Sequence, residues 1–392
     1  MRCDAVLSDA FLDAKPRRGG CLHKPGCYLA SDLQAAYGIT TAAKTAGNGV
    51  TVAIVDAYGY EGGYAGLARD LNAYLKLNGF SPCATKRCFK VVNEVGGADL
   101  PLPGQGANAG WQGETALDLD MVSAACPNCN ILLVEAYSAA NSDLQTAEAT
   151  ALSMANIVSN SFGSGESVAT TPLYDTHPGK VIVASAGDGG AGVLGNPSAP
   201  ESQPCGFAGV VCVGGTSLHL SNGAYAGETV WQDFNVKINH ETANLGATGS
   251  GCSAIVPKPS WQTDTGCTMR SAADISANAD PITGVIIVCT PCGGSLRAKK
   301  MPIMTGIGGT SEAAPLIAGM YGLAGNAATL TNPSQTIWTS SASNFHDVTS
   351  GFNDLAGATG LVCTPSIAYI CAAGTGYDGP TGWGSPNGLG AL

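Results

Sequence analysis

Residues 50–56, Val-Thr-Val-Ala-Ile-Val-Asp, form an unbroken apolar and β-branched run that stops at a carboxylate. That is the pattern of a strand buried on both faces of a parallel sheet. Tyr64, Leu67, Leu71, Tyr74 and Leu75 then recur at helical spacing until Gly79-Phe80-Ser81-Pro82 stops them. The alternation continues with helix over 111–125, strand over 130–135 and helix over 143–154, followed by strands over 157–161, 181–184 and 210–214. Strands alternating with helices predict an α/β fold, a mostly parallel central sheet with helices on both faces. Functional groups in such sheets gather beyond the carboxyl ends of the strands. Residues 285–288 and 303–306 predict an antiparallel hairpin whose loop carries Cys289, Cys292, Arg297, Lys299 and Lys300, a solvated basic loop. The apolar stretch 313–330 is broken by Pro315, Gly319, Gly322 and Gly325, which predicts a buried, tightly packed helix and no membrane span.

Composition narrows the class. The 392 residues are 45% hydrophobic and 12% charged, about half the ~25% charged share of ordinary domains, and 54 are glycine, so a compact, turn-rich chain is expected. The length admits two or three domains, yet no linker-like segment divides it. Lys and Arg total 18 against 29 Asp and Glu, a net charge of −11. That field repels polyanions and excludes nucleic acid as a natural partner, and it suits work below neutral pH. Met1-Arg2-Cys3-Asp4 lacks the apolar core of a signal peptide, which leaves either a cytosolic chain or one whose signal has been removed.

The 15 cysteines decide between those options. They fall into close pairs, Cys21/Cys27, Cys83/Cys88, Cys126/Cys129, Cys205/Cys212, Cys252/Cys267, Cys289/Cys292 and Cys363/Cys371, leaving Cys3 over. Local disulfides and an oxidising, extracellular location follow. A zinc or dithiol reading of the two C-x-x-C pairs fits less well, because roughly 160 residues separate them where zinc modules use ~15–20.

Three segments can carry chemistry. In Gly308-Gly309-Thr310-Ser311-Glu312-Ala313-Ala314-Pro315 a serine stands where a glycine turn enters the apolar helix, where backbone N–H groups and the helix dipole can assist a nucleophile. A serine needs a base; the Ala/Pro pattern after Ser311 resembles the nucleophile helix of subtilisin-like peptidases, which carry a histidine at a helix start downstream of the position of Asp56, and none of His23, His177, His219, His240 and His346 sits in such a place. The place of such a histidine helix is taken by Trp111-Gln112-Gly113-Glu114-Thr115-Ala116-Leu117-Asp118. Glu114 and Asp118, four apart, share one helix face. Exposed, they are a solvated acidic face; buried, they can share a proton and serve as acid and base. Third, Ser185-Ala186-Gly187-Asp188-Gly189-Gly190 follows a strand, and Asp188 can donate to an oxyanion only when protonated.

Together these segments resemble the sedolisin family, the serine-carboxyl peptidases of the subtilisin-like superfamily. The resemblance runs from Ser31-Asp32-Leu33-Gln34 and the strand ending at Asp56 to Gly382-Trp383-Gly384. It implies Ser311 as nucleophile, Glu114 as general base and acid, Asp118 as the orienter of Glu114 and Asp188 as oxyanion donor. It also implies one structural Ca²⁺ held by Asp347, Val348, Gly374, Gly376 and Asp378, through two carboxylates and three backbone carbonyls. Ser161, Phe162 and Gly163 are expected to pair with an extended substrate. Asp56, where subtilisins keep their triad Asp, has no histidine to orient and reads as structural or near a substrate pocket. Departures from the family pattern are the many paired cysteines, the basic loop after Cys289, and the lack of a large inhibitory propeptide within these residues. The expectation is therefore a secreted, monomeric, acid-acting serine endopeptidase acting on protein or peptide substrates without nucleic acid or membrane. Residues 1–48 form an N-terminal extension packing on a catalytic domain of residues 49–392. The alternative is a non-catalytic binding or assembly protein on the same fold.

Overall fold

A computed structural model describes residues 2–3, 6–7, 25–83, 88–192, 202–238, 241–292, 303–354, 363–364 and 368–392. Twelve strands are labelled. They are β1 (Arg2–Cys3), β2 (Val6–Leu7), β3 (Thr51–Ala57), β4 (Phe89–Asn93), β5 (Asn130–Ala136) and β6 (Ile157–Asn160), then β7 (Phe162–Gly165), β8 (Val181–Ser185), β9 (Gly189–Ala191), β10 (Ser202–Gln203), β11 (Val211–Ser221) and β12 (Ala224–Val230).

The central sheet has the order β12-β11-β8-β6-β3-β5-β4, with strand Ile275–Asn278 also paired to β11. Every pairing in it is parallel except β11 with β12. This is the predicted α/β architecture, and the expected strands fall within a residue or so of their places, except that β11 runs on to Ser221. Successive residues of a strand point to opposite faces, and β3 shows it. Val52 and Ile54 join a core with Leu117, Met121, Ala314 and Leu316, whereas Ala53 and Val55 join one with Leu144, Ala147 and Ala151. The first face is covered by Gly110–Ala125, here the acid helix, and Thr310–Ala324, here the serine helix; the second is covered by Asn141–Met154.

The acid and serine helices pack closely along their lengths. Gly319 makes this possible, because a Cβ there would meet the Ala125 Cβ at 2.7 Å and the Val122 carbonyl at 3.0 Å. The serine helix ends at Gly325 in the left-handed conformation, short of the 313–330 span its apolar run suggested. Strands Val285–Val288 and Ile303–Gly308 form the expected antiparallel hairpin; Arg297, Lys299 and Lys300 of its basic loop lie outside the described residues. Within residues 1–48, Tyr28 bridges to Val285 and helix Ala30–Ala36 packs on the acid helix.

Disulfides join Cys83–Cys88, Cys126–Cys129, Cys205–Cys212, Cys252–Cys267, Cys289–Cys292 and Cys363–Cys371, the pairs that spacing suggested. Cys27 is also disulfide-bonded, while Cys21 lies outside the described residues. No described helix is long and apolar enough to cross a membrane.

Candidate active site

Asp56, Glu135, Ser161 and Asp188 lie at or just past the carboxyl ends of β3, β5, β6 and β8, the edge where a parallel sheet collects functional groups. The acid helix is buried almost throughout, and Glu114 and Asp118, one turn apart, have no solvent exposure. The exposed-face alternative for this pair is thereby removed. Asp118 Oδ1 accepts a hydrogen bond from Ser161 Oγ at 2.8 Å, and its buried Oδ2 has no hydrogen-bond partner among the described residues. Burial, followed by the charges of Asp56 and Glu114, pushes the Asp118 carboxyl well above the ordinary range, against a smaller lowering by Ser161.

Two further carboxyls belong to the cluster. Asp56 is paired in register with Glu135 on the neighbouring strand. By alternation from Ile54 and Leu133, both side chains face the acid helix. Burial raises Asp56 to about 7, moderated by the Thr115 hydroxyl. Burial and then the Asp56 charge raise Glu135 to about 8. The ion pairs among the described residues, Arg69–Asp70, Lys258–Asp264 and Arg270–Asp274, all lie elsewhere. Burial and mutual repulsion in such a cluster favour the protonated forms.

Ser311 is the second residue of the serine helix and is fully buried. Its Oγ donates to the Ser161 carbonyl at 3.4 Å. Ser161 thus touches both sides of the site, accepting from Ser311 and donating to Asp118. Gly309 precedes the helix at φ 97°, a conformation glycine adopts without a Cβ penalty, and its N–H donates to the Ala279 carbonyl at 2.6 Å. Pro315 has no N–H to close the helical bond to the Ser311 carbonyl four residues back.

Asp188 sits half-buried against the first turn of that helix. Its Oδ1 accepts from both the N–H and the Oγ1 of Thr310, each at 2.8 Å, while the Gly187 N–H donates to Thr310 Oγ1 at 3.0 Å. The histidines lie in other settings. His177 bonds the Leu173 carbonyl, His219 is on the outer part of β11, and His346 stacks on Tyr225 at 3.8 Å. His23 and His240 lie outside the described residues.

The structure gives the expected substrate segment other duties. Ser161 bridges the acid and serine helices, and Phe162 is buried against Trp111 at 6.3 Å. Both neighbours of β7 come from this chain. Arg2 and Cys3 pair with Gly163 and Phe162, and Ser202 and Gln203 with Gly165 and Ser164. An added strand at Phe162–Gly163 has to displace β1.

In the C-terminal loops, the Gly376 N–H donates to both Asp347 oxygens at 3.2 and 3.0 Å, and the Gly374 N–H to Asp378 Oδ2 at 2.9 Å. The Thr381 N–H and Oγ1 bind Asp378 Oδ1. Two carboxylates are thus drawn to one short loop. Among the described residues, the carbonyls of Val348, Gly374 and Gly376 accept no hydrogen bond. An all-oxygen donor set of this kind fits a hard divalent cation.

Sequence reasoning passed over Glu135, the link through Ser161, the Thr310 clasp on Asp188 and the closeness of Asp56 to Asp118. One signal was available. Val55-Asp56-Ala57 and Val134-Glu135-Ala136 repeat the same ending on two strands, which places two carboxylates side by side.

Comparison with known proteins agrees with this construction. A profile of the subtilase family matches residues 105–353. Kumamolisin of Bacillus sp. (strain MN-32) is 32% identical over 313 residues, covering 71% of this chain and 50% of that protein. Sedolisin of Pseudomonas sp. (strain 101) is 35% identical over 224 residues, 53% of this chain and 33% of that one. The chain therefore spans half of the first relative's length and a third of the second's. A solved structure of Pseudomonas sedolisin, a serine-carboxyl proteinase complexed with two molecules of pseudo-iodotyrostatin, superposes with a TM-score of 0.72. It has 26% identity and covers 93% of this chain and 96% of that one. On these matches, over a sheet whose carboxyl edge carries a serine and paired buried carboxyls in place of a histidine, the chain belongs to the subtilase family and, within it, to the sedolisins.

Proposed function

We propose that this protein is a serine-carboxyl endopeptidase that hydrolyses peptide bonds of protein substrates in acid, outside the cell. The observation that carries the reading is the hydrogen-bonded path from Ser311 Oγ through Ser161 to Asp118, beside buried Glu114. Ser311 attacks the scissile carbonyl while Glu114 takes its proton, and Glu114 returns that proton to the leaving amine. Asp118 keeps its own proton far above the ordinary carboxyl range and steadies the charge on Glu114. Asp188, aimed by Thr310, donates to the oxyanion as a neutral acid. Water then hydrolyses the acyl-enzyme. The supporting disulfides suit an oxidising compartment.

Calcium enters the same proposal. Asp347 and Asp378, with the carbonyls of Val348, Gly374 and Gly376, would hold one Ca²⁺, which cross-links the C-terminal loops and takes no part in catalysis. Incubating the protein with a denatured protein substrate at about pH 3–5, the range of carboxyl titration, tests the function. Cleavage is expected from the wild type and its loss from Ser311→Ala; a Ser311→Ala protein that cleaves normally overturns the assignment.

A further inference from the structure

Two residues flank Ser311 in the first turn of the serine helix, and each is anchored to a different part of the sheet. Thr310 is held by Asp188, just past β8. Glu312 has no solvent exposure, and its Oε1 accepts a hydrogen bond from Asn278 Nδ2 at 2.8 Å. Asn278 closes strand Ile275–Asn278, which lies parallel to β11. Glu312 has no part in the chemistry proposed for the site. The Asn278 amide cannot turn round. Its Oδ1 accepts from the Leu218 N–H at 2.9 Å and from Thr283 Oγ1 at 3.0 Å, and its second Nδ2 hydrogen goes to the Thr283 carbonyl at 3.0 Å. A backbone N–H can only donate and a carbonyl can only accept, so these neighbours fix which end of the amide carries the nitrogen. Both lone pairs and both hydrogens are then used, and the hydrogen aimed at position 312 requires an acceptor there. The Asn278 backbone N–H also donates to the Tyr37 hydroxyl at 2.7 Å, which donates onward to Glu228 Oε1 at 3.0 Å. A buried hydrogen-bonded network therefore stands behind the anchor.

The turn that carries Ser311 has few other ties. The Gly309 N–H reaches the Ala279 carbonyl, but Gly309 offers no side-chain cap, Pro315 cannot bond back to the Ser311 carbonyl, and the contact of the Ser311 hydroxyl with Ser161 is long at 3.4 Å. We infer that Glu312 is a positioning residue: through Asn278 it holds the turn that sets where the Ser311 hydroxyl stands against Glu114. Burial pushes the Glu312 carboxyl well above the ordinary range, with the Asn278 amide lowering it and the Asp280 charge raising it by less. Oε2, which has no hydrogen-bond partner among the described residues, then carries the proton while Oε1 accepts from Asn278, an arrangement that a glutamine copies. Without an acceptor at 312 a buried Asn278 N–H is left unpaired and the turn is freed. The loss falls on kcat rather than KM, because the anchor acts on the reacting oxygen and not on substrate binding. The inference rests on the peptidase reading for this kinetic consequence, though not for the anchor it describes.

Two substitutions of similar size separate the acceptor from the space it fills. Glu312→Gln keeps an oxygen for Asn278, and Glu312→Met occupies the site without one. With denatured protein as substrate, at acid pH and well below the unfolding temperature of each form, E312M should lose about tenfold in kcat, the worth of one buried hydrogen bond, at unchanged KM. E312Q should match the wild type in both. Hydrogen exchange of segment 309–316, followed by mass spectrometry, should quicken in E312M and not in E312Q. Should E312M fail to fold by circular dichroism, Thr283→Val takes its place, since it removes the hydroxyl that steadies Asn278; a smaller kcat loss at unchanged KM is then expected. An unchanged kcat in the variant with the weakened anchor, or an E312Q as impaired as E312M, overturns the inference. Quicker exchange in E312M alone, with no form cleaving any substrate, removes the peptidase reading and leaves the anchor in place. Cleavage by all forms with equal kcat and equal exchange does the reverse.

Discussion

Ser161 is the residue on which the site turns, because its carbonyl receives the Ser311 hydroxyl while its own hydroxyl is given to Asp118. Ser161→Ala keeps the first contact and loses the second. Asp118 then loses a stabilising donor to its charged form and rises further, and kcat is expected to fall about tenfold, the worth of one buried hydrogen bond, with KM little changed. A steady-state comparison at acid pH checks this, and an unaltered kcat counts against the path. Glu114, Asp118, Asp188 and Ser311 could be picked out beforehand because glycine turns, a helix start and an i, i+4 pair are local patterns. Ser161 could not be given its role, because its two partners come from helices distant in sequence. Asp56 was visible as a strand-ending carboxylate, but its closeness to Asp118 depends on how a helix lies across β3.

At the scale of elements, the alternating strands and helices were legible because buried parallel strands read as continuous apolar runs. Strand Gly246–Pro257, rich in glycine, serine and alanine, gives no such run, and its place is set by pairing with β9 and Met269–Ala272. β1 and β2 were equally silent, since each is two residues long and made by its partner. The contact between the acid and serine helices makes a direct prediction. Gly319→Val puts a branched side chain where even a Cβ comes within 2.7 Å of Ala125. The helices must part, destabilising the fold by about 1–3 kcal/mol as other overpacked cores are. Catalysis should suffer too, because the separation moves Ser311 from Glu114; thermal unfolding and kcat measured together check both. In the C-terminal loops, chelation should lower the unfolding temperature, and Asp347→Ala should lower it while abolishing the response to added Ca²⁺.

The whole molecule carries many carboxyls and few cations, and several carboxyls are buried. Glu148 has no solvent exposure, and burial raises it to about 8 against a smaller lowering by the Asn160 side chain. Glu135 stands at about 8 and Asp56 at about 7, whereas unfolded carboxyls titrate near ~4. Between those values the folded state holds more protons than the unfolded one, so stability falls as pH rises. The contribution is complete below ~4 and lost as pH passes through about 7 to 8. Unfolding temperatures recorded from pH 4 to 8 should decline, and Glu148→Gln should flatten the decline; a flat wild-type profile refutes this. The shortage of Lys and Arg thus matches a fold that keeps its buried acids protonated. The measurement that bears most directly on the central claim is kcat/KM against pH, from 3 to 8, for the wild type and Glu114→Gln. A wild-type optimum in the acid range and a loss of at least about a hundredfold across the range in the variant are expected from removing the general base. A Glu114→Gln enzyme as active as the wild type, or a wild-type optimum at neutral pH, contradicts the account.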